Sequence, residues 1–312
     1  MKYASAAAFR QALDQRLKTE ASMSGLGVGR LRKRVAFELF LRRLVAVAPN
    51  RWVLKGALAL DFRLDVATRP TKDIDLGRDD DEAAAIEDIT AAQALVLDDF
   101  FTFSATKTGE FSDTDEFAAI RFHVTAQLAG RTFEQFIVDI GFTDSIWWTP
   151  DTIQTSDLLT FADIERVQIP AVPLPQHVAE KVHAYTRTYG STEQPSTRPK
   201  DLVDILLIEG SESIAAGALR EALERTFAER KRHPLPAGLP APPPSWGVPY
   251  GRLATEVGVE TDLAAAFARV AAFVDPVLAG LAEGWWDGRT ATWISIPRSA
   301  DPSDTSRAAR SR

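Results

Sequence analysis

Asp73 and Asp75, in the run Thr71-Lys72-Asp73-Ile74-Asp75, and Asp139, in Phe136-Ile137-Val138-Asp139-Ile140, are the residues whose type and spacing point most directly to chemistry. Side chains alternate faces along a strand. Asp73 and Asp75 therefore share one face while Ile74 turns into the core, and Asp139 leaves its strand opposite to Val138 and Ile140. Three carboxylates gathered on one sheet face repel each other unless cations lie between them. All-oxygen ligand sets suit Mg²⁺ or Mn²⁺. Two such ions about 3.5–4 Å apart serve in-line phosphoryl or nucleotidyl transfer. The pattern implies a metal-dependent nucleotidyltransferase.

An isolated D-x-D is a weak signal, because solvated strand ends and salt-bridged pairs produce it by chance. Its surroundings narrow the choice. Upstream stands Lys55-Gly56, followed by the apolar positions Leu58, Leu60 and Phe62, and Arg69-Pro70 then break the segment. A glycine after a lysine permits the close backbone approach that a phosphate-binding turn needs.

A second constellation lies downstream. In the helix that carries Glu180-Lys181-Val182-His183-Ala184-Tyr185 the positions Val178, Val182 and Tyr185 make a buried stripe, with Lys181 at its edge beside His177. A lysine there packs its stem on apolar neighbours and extends its charge to an anion. Asp201 stands in the first turn of the next helix and shares a face with Asp204, where a carboxylate also answers the helix dipole. Two accounts fit these residues: a helix–helix salt bridge between Lys181 and Asp201, or a lysine that neutralises phosphate charge.

Composition sets the outer limits. The 312 residues are 45% hydrophobic and 25% charged, as in a soluble globular protein of one to three domains. No apolar run approaches the roughly 20 residues that span a bilayer, so no membrane partner is expected. The N-terminal Ala6-Ala7-Ala8-Phe9 is too short for a signal-peptide core. A cytoplasmic protein follows. There is no cysteine, which excludes disulfides, thiolate catalysis and cysteine-ligated zinc, and the four histidines show no metal-binding spacing. The net charge of −7 is unevenly placed: residues 1–55 hold twelve Lys or Arg against three acids. The densest part, Arg30-Leu31-Arg32-Lys33-Arg34 with Arg42-Arg43, suits a polyphosphate or RNA backbone, or is simply a solvated helix.

Periodicity predicts helices over residues 5–18 and 31–47, a strand over 73–77 and a long helix over 83–101. Residues 117–128 and 132–142 alternate as strands, joined at Ala129-Gly130-Arg131 into a hairpin. Past Pro170 the texture becomes helical: 176–189, 200–209, 214–230 and 262–281, with a polar loop over 190–199. The proline-rich stretch 234–244 reads as a stiff linker or surface loop. Trp285, Trp286 and Trp293 are expected to pack the last helix onto the body. The fold class is α+β, a mixed sheet flanked and followed by helices. The expected domains are 1–165, with its basic helical start, a mainly helical 166–298, and a disordered tail, 299–312.

Five pieces in order carry a resemblance. They are Lys55-Gly56-Ala57-Leu58-Ala59-Leu60; Arg69-x-Thr71-x-Asp73-Ile74-Asp75-Leu76; Val138-Asp139-Ile140-Gly141-Phe142-Thr143-Asp144; Ala179-Glu180-Lys181-Val182-His183-Ala184; and Arg198-Pro199-Lys200-Asp201-Leu202-Val203-Asp204. From about Trp52 to Glu209 the chain resembles the AbiEii/AbiGii-type nucleotidyltransferase toxins, which include the MenT proteins of type IV toxin–antitoxin systems. One departure is Gly56-Ala57, where the family often has Gly-Gly or Gly-Ser.

The resemblance implies a polymerase-β-like nucleotidyltransferase domain and a helical domain with the active site in the cleft between them. It also implies an NTP donor, a tRNA 3′ end as acceptor, and a cognate antitoxin. On that basis Asp73, Asp75 and Asp139 are the expected metal ligands, and Asp139 also helps deprotonate the acceptor hydroxyl. Lys181 is expected to neutralise the triphosphate, and Asp201 to orient Lys181 or touch the acceptor. Lys55, Arg69 and the Gly56 backbone are expected to grip the outer phosphates, and Thr71 a phosphate or metal-bound water. The alternatives are an NTP-dependent protein phosphotransferase, a metal-dependent nuclease, and a non-catalytic nucleotidyltransferase-like binding protein.

Overall fold

A computed structural model describes the chain except residues 65–68, 112–118, 144–145, 190–193, 196–197, 212 and 296–312. The tail expected to be disordered, most of the 190–199 loop and Asp144 of the third motif lie outside the described residues. The chain divides into two compact units, Met1–Pro173 with Glu256–Gly258, and Leu174–Thr255 with Val259–Arg312. No helix among the described residues is long and apolar enough to cross a membrane.

The first unit opens with α1 (Ala6–Ser24) and α2 (Val28–Val47). Then come β1 (Val53–Lys55), α3 (Gly56–Arg63), β2 (Asp73–Arg78) and α4 (Glu82–Ala94). The strands β3 (Phe101–Phe111), β4 (Ala119–Leu128), β5 (Arg131–Phe142), β6 (Asp151–Gln154) and β7 (Gln168–Ala171) complete it. Their order in one sheet is β3-β4-β5-β2-β1-β7-β6. The pairs β2/β5 and β1/β7 are parallel and the remaining pairs antiparallel, so the sheet is mixed, as the sequence predicts.

The core sits where the alternation places it. Ile74, Leu76, Ile120, Phe122, Val124, Val138 and Ile140 are buried against Phe9, Leu13 and Leu17 of α1, Val35, Leu39 and Phe40 of α2, and Ile89 of α4. The hairpin turn is Ala129-Gly130, with φ of 54° and 68°. Both positive values are what a two-residue hairpin of matching twist demands. One expectation is corrected: the helix predicted over 83–101 ends at Ala94, and β3 begins at Phe101. Between them a charge is buried. Arg43 is fully buried and gives both oxygens of Asp99 a hydrogen bond, at 2.9 and 2.8 Å, and also reaches the carbonyls of Leu39, Leu95 and Phe101. The chain must leave the helix to meet that guanidinium.

Much of the basic N-terminal surplus is engaged in the same way. Arg30 and Arg34 pair with Asp61, Arg32 with Asp14, and Lys33 with Glu134. The run therefore offers an RNA backbone less charge than its count suggests.

The second unit contains α5 (Leu174–Thr186), β8 (Thr188–Tyr189), β9 (Gln194–Pro195), α6 (Pro199–Ser211), α7 (Ala216–Arg230), α8 (Gly247–Val257) up to Thr255, and α9 (Leu263–Leu278). A small hairpin, β10 (Trp285–Asp287) with β11 (Thr292–Ile294), closes it. Neither α8 nor this hairpin was evident from periodicity. The proline-rich stretch is a surface loop fastened to helices: Tyr185 Oη donates to the Pro240 carbonyl at 2.8 Å, and Leu239 N–H to Asp275 at 2.8 Å. Trp286 and Trp293 do pack on Phe273 of α9, with centroids 4.9 and 5.7 Å away, whereas Trp285 is exposed.

Glu38 of α2 gives the fold a pH dependence. It is buried beside Arg34, accepts from the Ser156 hydroxyl and from Ser156 N–H at 3.3 Å, and its pKa is raised by burial from 4.5 to about 7. The folded state thus holds this proton more tightly than the unfolded chain. The associated stability, roughly 3 kcal/mol, is full below pH 4.5 and lost as pH rises through 7. Glu38→Gln is expected to raise the melting temperature by several degrees at pH 8 and to leave it unchanged at pH 4.5. Thermal unfolding at both pH values checks this; an equal shift at both contradicts it.

Candidate active site

The parallel pairing of β2 with β5 sets the geometry. Its register places Asp75 opposite Asp139, with Asp73 opposite Ile137 two residues away. In-register neighbours on adjacent strands project to the same face, so Asp73, Asp75 and Asp139 stand together on the face opposite the core. Each offers a carboxylate oxygen, and these atoms lie within 4.8 Å of one another. All three are half-buried, open enough to be reached and enclosed enough for charge to matter.

The register continues outwards on both sides. Lys55 at the end of β1 lies opposite Asp75, and Arg121 of β4 lies opposite Asp139. One row across four strands therefore reads Lys55, Asp75, Asp139, Arg121, two acids flanked by two bases. Arg121 donates to both oxygens of Asp139 at 2.7 Å each. Thr71 donates its hydroxyl to Asp73 Oδ1 at 2.7 Å, which fixes that carboxylate's orientation. The stem of Lys55 lies over Gly77, where a side chain would meet its Cδ at 3.1 Å.

Gly56 is the closest approach in the site. It begins α3 with φ of +64°, and a Cβ there would fall 1.9 Å from Asp75 Oδ2. Only glycine fits both the angle and the space. The positive end of α3 thus abuts an acid. Arg69 lines a small cavity with Arg30, Arg34, Asp61 and Thr71, the last of which also bonds Asp73.

A divalent cation fits the triad by chemistry. The donors are carboxylate oxygens alone, without histidine or cysteine, and they converge from two strands held in fixed register. That is a hard-cation site, suited to Mg²⁺ or Mn²⁺.

Lys181 and Asp201 belong to the second unit and are together there. Lys181 Nζ lies 3.1 Å from Asp201 and 2.7 Å from Asp204, and Arg198 donates to the other oxygen of Asp201 at 2.7 Å. Lys181 is nearly buried, and both acids are fully so. The helix–helix salt bridge weighed from sequence is present, with Asp204 as a second partner. Helix α6 is buried nearly all round, as a central helix is, and its buried acids Asp201, Asp204 and Glu209 are each matched by a base. Proline at the first position of α6 suits the helix start.

Sequence reasoning missed Arg121. Its signal was a mismatch of parity: the buried faces of β4 and β5 pair Ile120 with Ile140 and Phe122 with Val138, whereas the turn pairs Leu128 with Arg131. Both hold only if one strand carries an extra residue, which the register shift at Ala126/Gln127 supplies. Without that shift Arg121 would face Val138 and not Asp139.

Gly56→Ala tests the close approach. The added methyl is expected to displace Asp75 and to strain a left-handed backbone, costing about 1–2 kcal/mol. A lower melting temperature and weakened Mn²⁺ binding, measured by calorimetry, are the expected results. A variant equal to wild type in both contradicts the geometry.

The family profile described as nucleotidyl transferase AbiEii toxin, type IV TA system, matches residues 39–275. Among solved structures, the chain is similar to MenT4, a nucleotidyltransferase toxin from Mycobacterium tuberculosis H37Rv. That match has 16% identity and a TM-score of 0.49, over 87% of this chain and 98% of that one. It is also similar to JHP933 from Helicobacter pylori, at 14% identity and a TM-score of 0.43, over 80% and 93% of the two chains. A search of curated proteins gives no match. With the profile running across most of its length, and with the triad inside the matched span, this chain belongs to the AbiEii family of nucleotidyltransferase toxins of type IV toxin–antitoxin systems.

Proposed function

We propose that this enzyme, acting in the cytoplasm, transfers a nucleoside monophosphate from an NTP to the 3′ hydroxyl of a tRNA and so blocks translation. The observation that carries the reading is the convergence of Asp73, Asp75 and Asp139 within 4.8 Å on one sheet face, in a chain of the nucleotidyltransferase family. Bound Mg²⁺ or Mn²⁺ would supply Lewis-acid stabilisation of the donor phosphates.

The chain's own residues do the rest. Asp73 and Asp75 hold the ion, and Thr71 keeps Asp73 in its ligating orientation. Asp139 completes the ligand set and takes the proton of the acceptor hydroxyl. The acceptor oxygen bonds to the α-phosphorus, the bond from that phosphorus to the β-phosphate oxygen breaks, and pyrophosphate leaves. Lys55, Arg69 and the Gly56 backbone bind the outer phosphates. Lys181 answers the triphosphate charge, as fixed cations do in phosphoryl transfer, and Asp201 with Asp204 holds it in place. A cognate antitoxin is the expected protein partner, in keeping with the family.

Labelled donors test the reaction type. Incubation with total RNA, Mg²⁺ and each NTP in turn should place the α label, and not the γ label, on RNA of tRNA size. Asp75→Asn should abolish this while leaving the melting temperature within a few degrees. Transfer of the γ label to protein would identify a phosphotransferase instead, and retention of activity by Asp75→Asn would refute the site.

Lys181 needs its own experiment, since it is also a structural ion-pair partner. Lys181→Ala takes from two buried carboxylates the base they share, with Arg198 still on Asp201, so a loss of several kcal/mol of stability is expected. If Lys181 also binds the donor, the folded fraction of this variant should lose at least about 100-fold in turnover. Wild-type turnover per folded molecule would confine Lys181 to structure.

A further inference from the structure

We propose that Arg121 is an internal counter-ion that holds Asp139 until a divalent cation takes it, and that the guanidinium so displaced then binds a phosphate of the donor nucleotide. The inference rests on the reading that the triad holds a cation.

Three observations lead to it. Arg121 uses Nε and Nη2 in a fork on the two oxygens of Asp139, 2.7 Å each, the strongest form of such a pair. The pair is set by the backbone: Arg121 and Asp139 are register partners, brought opposite each other by the extra residue, Phe133, that β5 carries opposite Ala126/Gln127. Two of the acids are also held differently. Asp73 receives a neutral hydroxyl from Thr71, whereas Asp139 receives a full positive charge.

Electrostatics then forces an exchange. A divalent ion at the triad draws on an Asp139 oxygen that the guanidinium already engages, and the two cations repel across a few ångströms. Arg121 is partly exposed, at 31%, so its long side chain has room to move when it yields the carboxylate. Its new position stays at the edge of the site, tethered to β4, next to the charge that arrives with the donor. The same residue thus opposes the cation alone and favours the cation with nucleotide. Such a device weakens metal binding until substrate is present.

Calorimetric titration of the full-length protein distinguishes the outcomes. With Mn²⁺ alone, Arg121→Gln is expected to bind 5–10-fold more tightly than wild type, and Asp139→Asn more weakly. With saturating Mn²⁺ and a non-hydrolysable α,β-methylene NTP analogue, Arg121→Gln is expected to bind the analogue 5–10-fold more weakly. Arg121→Lys, which keeps the charge but not the fork, should lie between wild type and Arg121→Gln in both titrations, and it replaces the glutamine variant if that one does not fold. Equal or weaker Mn²⁺ binding by the Arg121 variants overturns the exchange, and unchanged analogue binding overturns the transfer to phosphate. If wild type binds no Mn²⁺, or Asp139→Asn binds it as well as wild type, the triad reading fails and this inference falls with it.

Discussion

Two aspartates placed opposite each other in a parallel ladder, Asp75 on β2 and Asp139 on β5, are the constraint to which the rest of the first unit responds. Adjacent strands lie about 4.8 Å apart. At an effective dielectric near 20, two unit charges at about that distance repel by roughly 3 kcal/mol. A fold does not keep such a pair without compensation. Here the compensation is local and ordered: Lys55 in register on one side, Arg121 in register on the other, and the N-terminal end of α3 against Asp75. A divalent cation is the remaining, and strongest, answer to the same repulsion.

The register itself is held by the opposite face of the sheet. A slip of one residue in β2 or β5 would exchange Ile74, Val138 and Ile140 with the acids, which hydrophobic burial forbids. Buried ion pairs fix the surroundings. Arg43 with Asp99 anchors α2 to the start of β3, and Arg78, buried under Trp52, ties the end of β2 to Asp80 and to Asp88 of α4. The second unit follows the same rule, with Lys181 matched to Asp201 and Asp204, and Arg269 to Glu209. Removing one member of such a pair is costly because the other is left buried and charged.

The acidic face was legible in the sequence because it depends on a period of two, which short apolar–acidic runs display without ambiguity. The faces of Asp73, Asp75 and Asp139 follow from that period; their meeting depends on the pairing of β2 with β5, which no local pattern carries. The neighbourhood of Lys181 was legible as a helix edge, though not the choice between bridge and phosphate ligand. β3 was lost for a physical reason: the alanine-rich run before it continues a helical pattern, and the break at residues 95–100 is imposed by the distant Arg43. The alternation Phe101, Phe103, Ala105 is present in the sequence, but the helix predicted over 83–101 takes in its first residue. β6 and β7 are four residues each, too short to show a period. Arg121 was hidden by a single extra residue in a strand, which only the conflict between turn and core reveals. Local patterns reveal faces; partners across strands depend on irregularities that patterns do not carry.

The most direct test is crystallographic. Crystals soaked in Mn²⁺ with a non-hydrolysable NTP analogue, recorded at the manganese absorption edge, should give an anomalous peak within about 2.0–2.4 Å of oxygens from Asp73, Asp75 and Asp139. A peak bound by other residues, or none at the triad while the analogue is in place, would contradict the claim that these strands are paired in register to hold a metal.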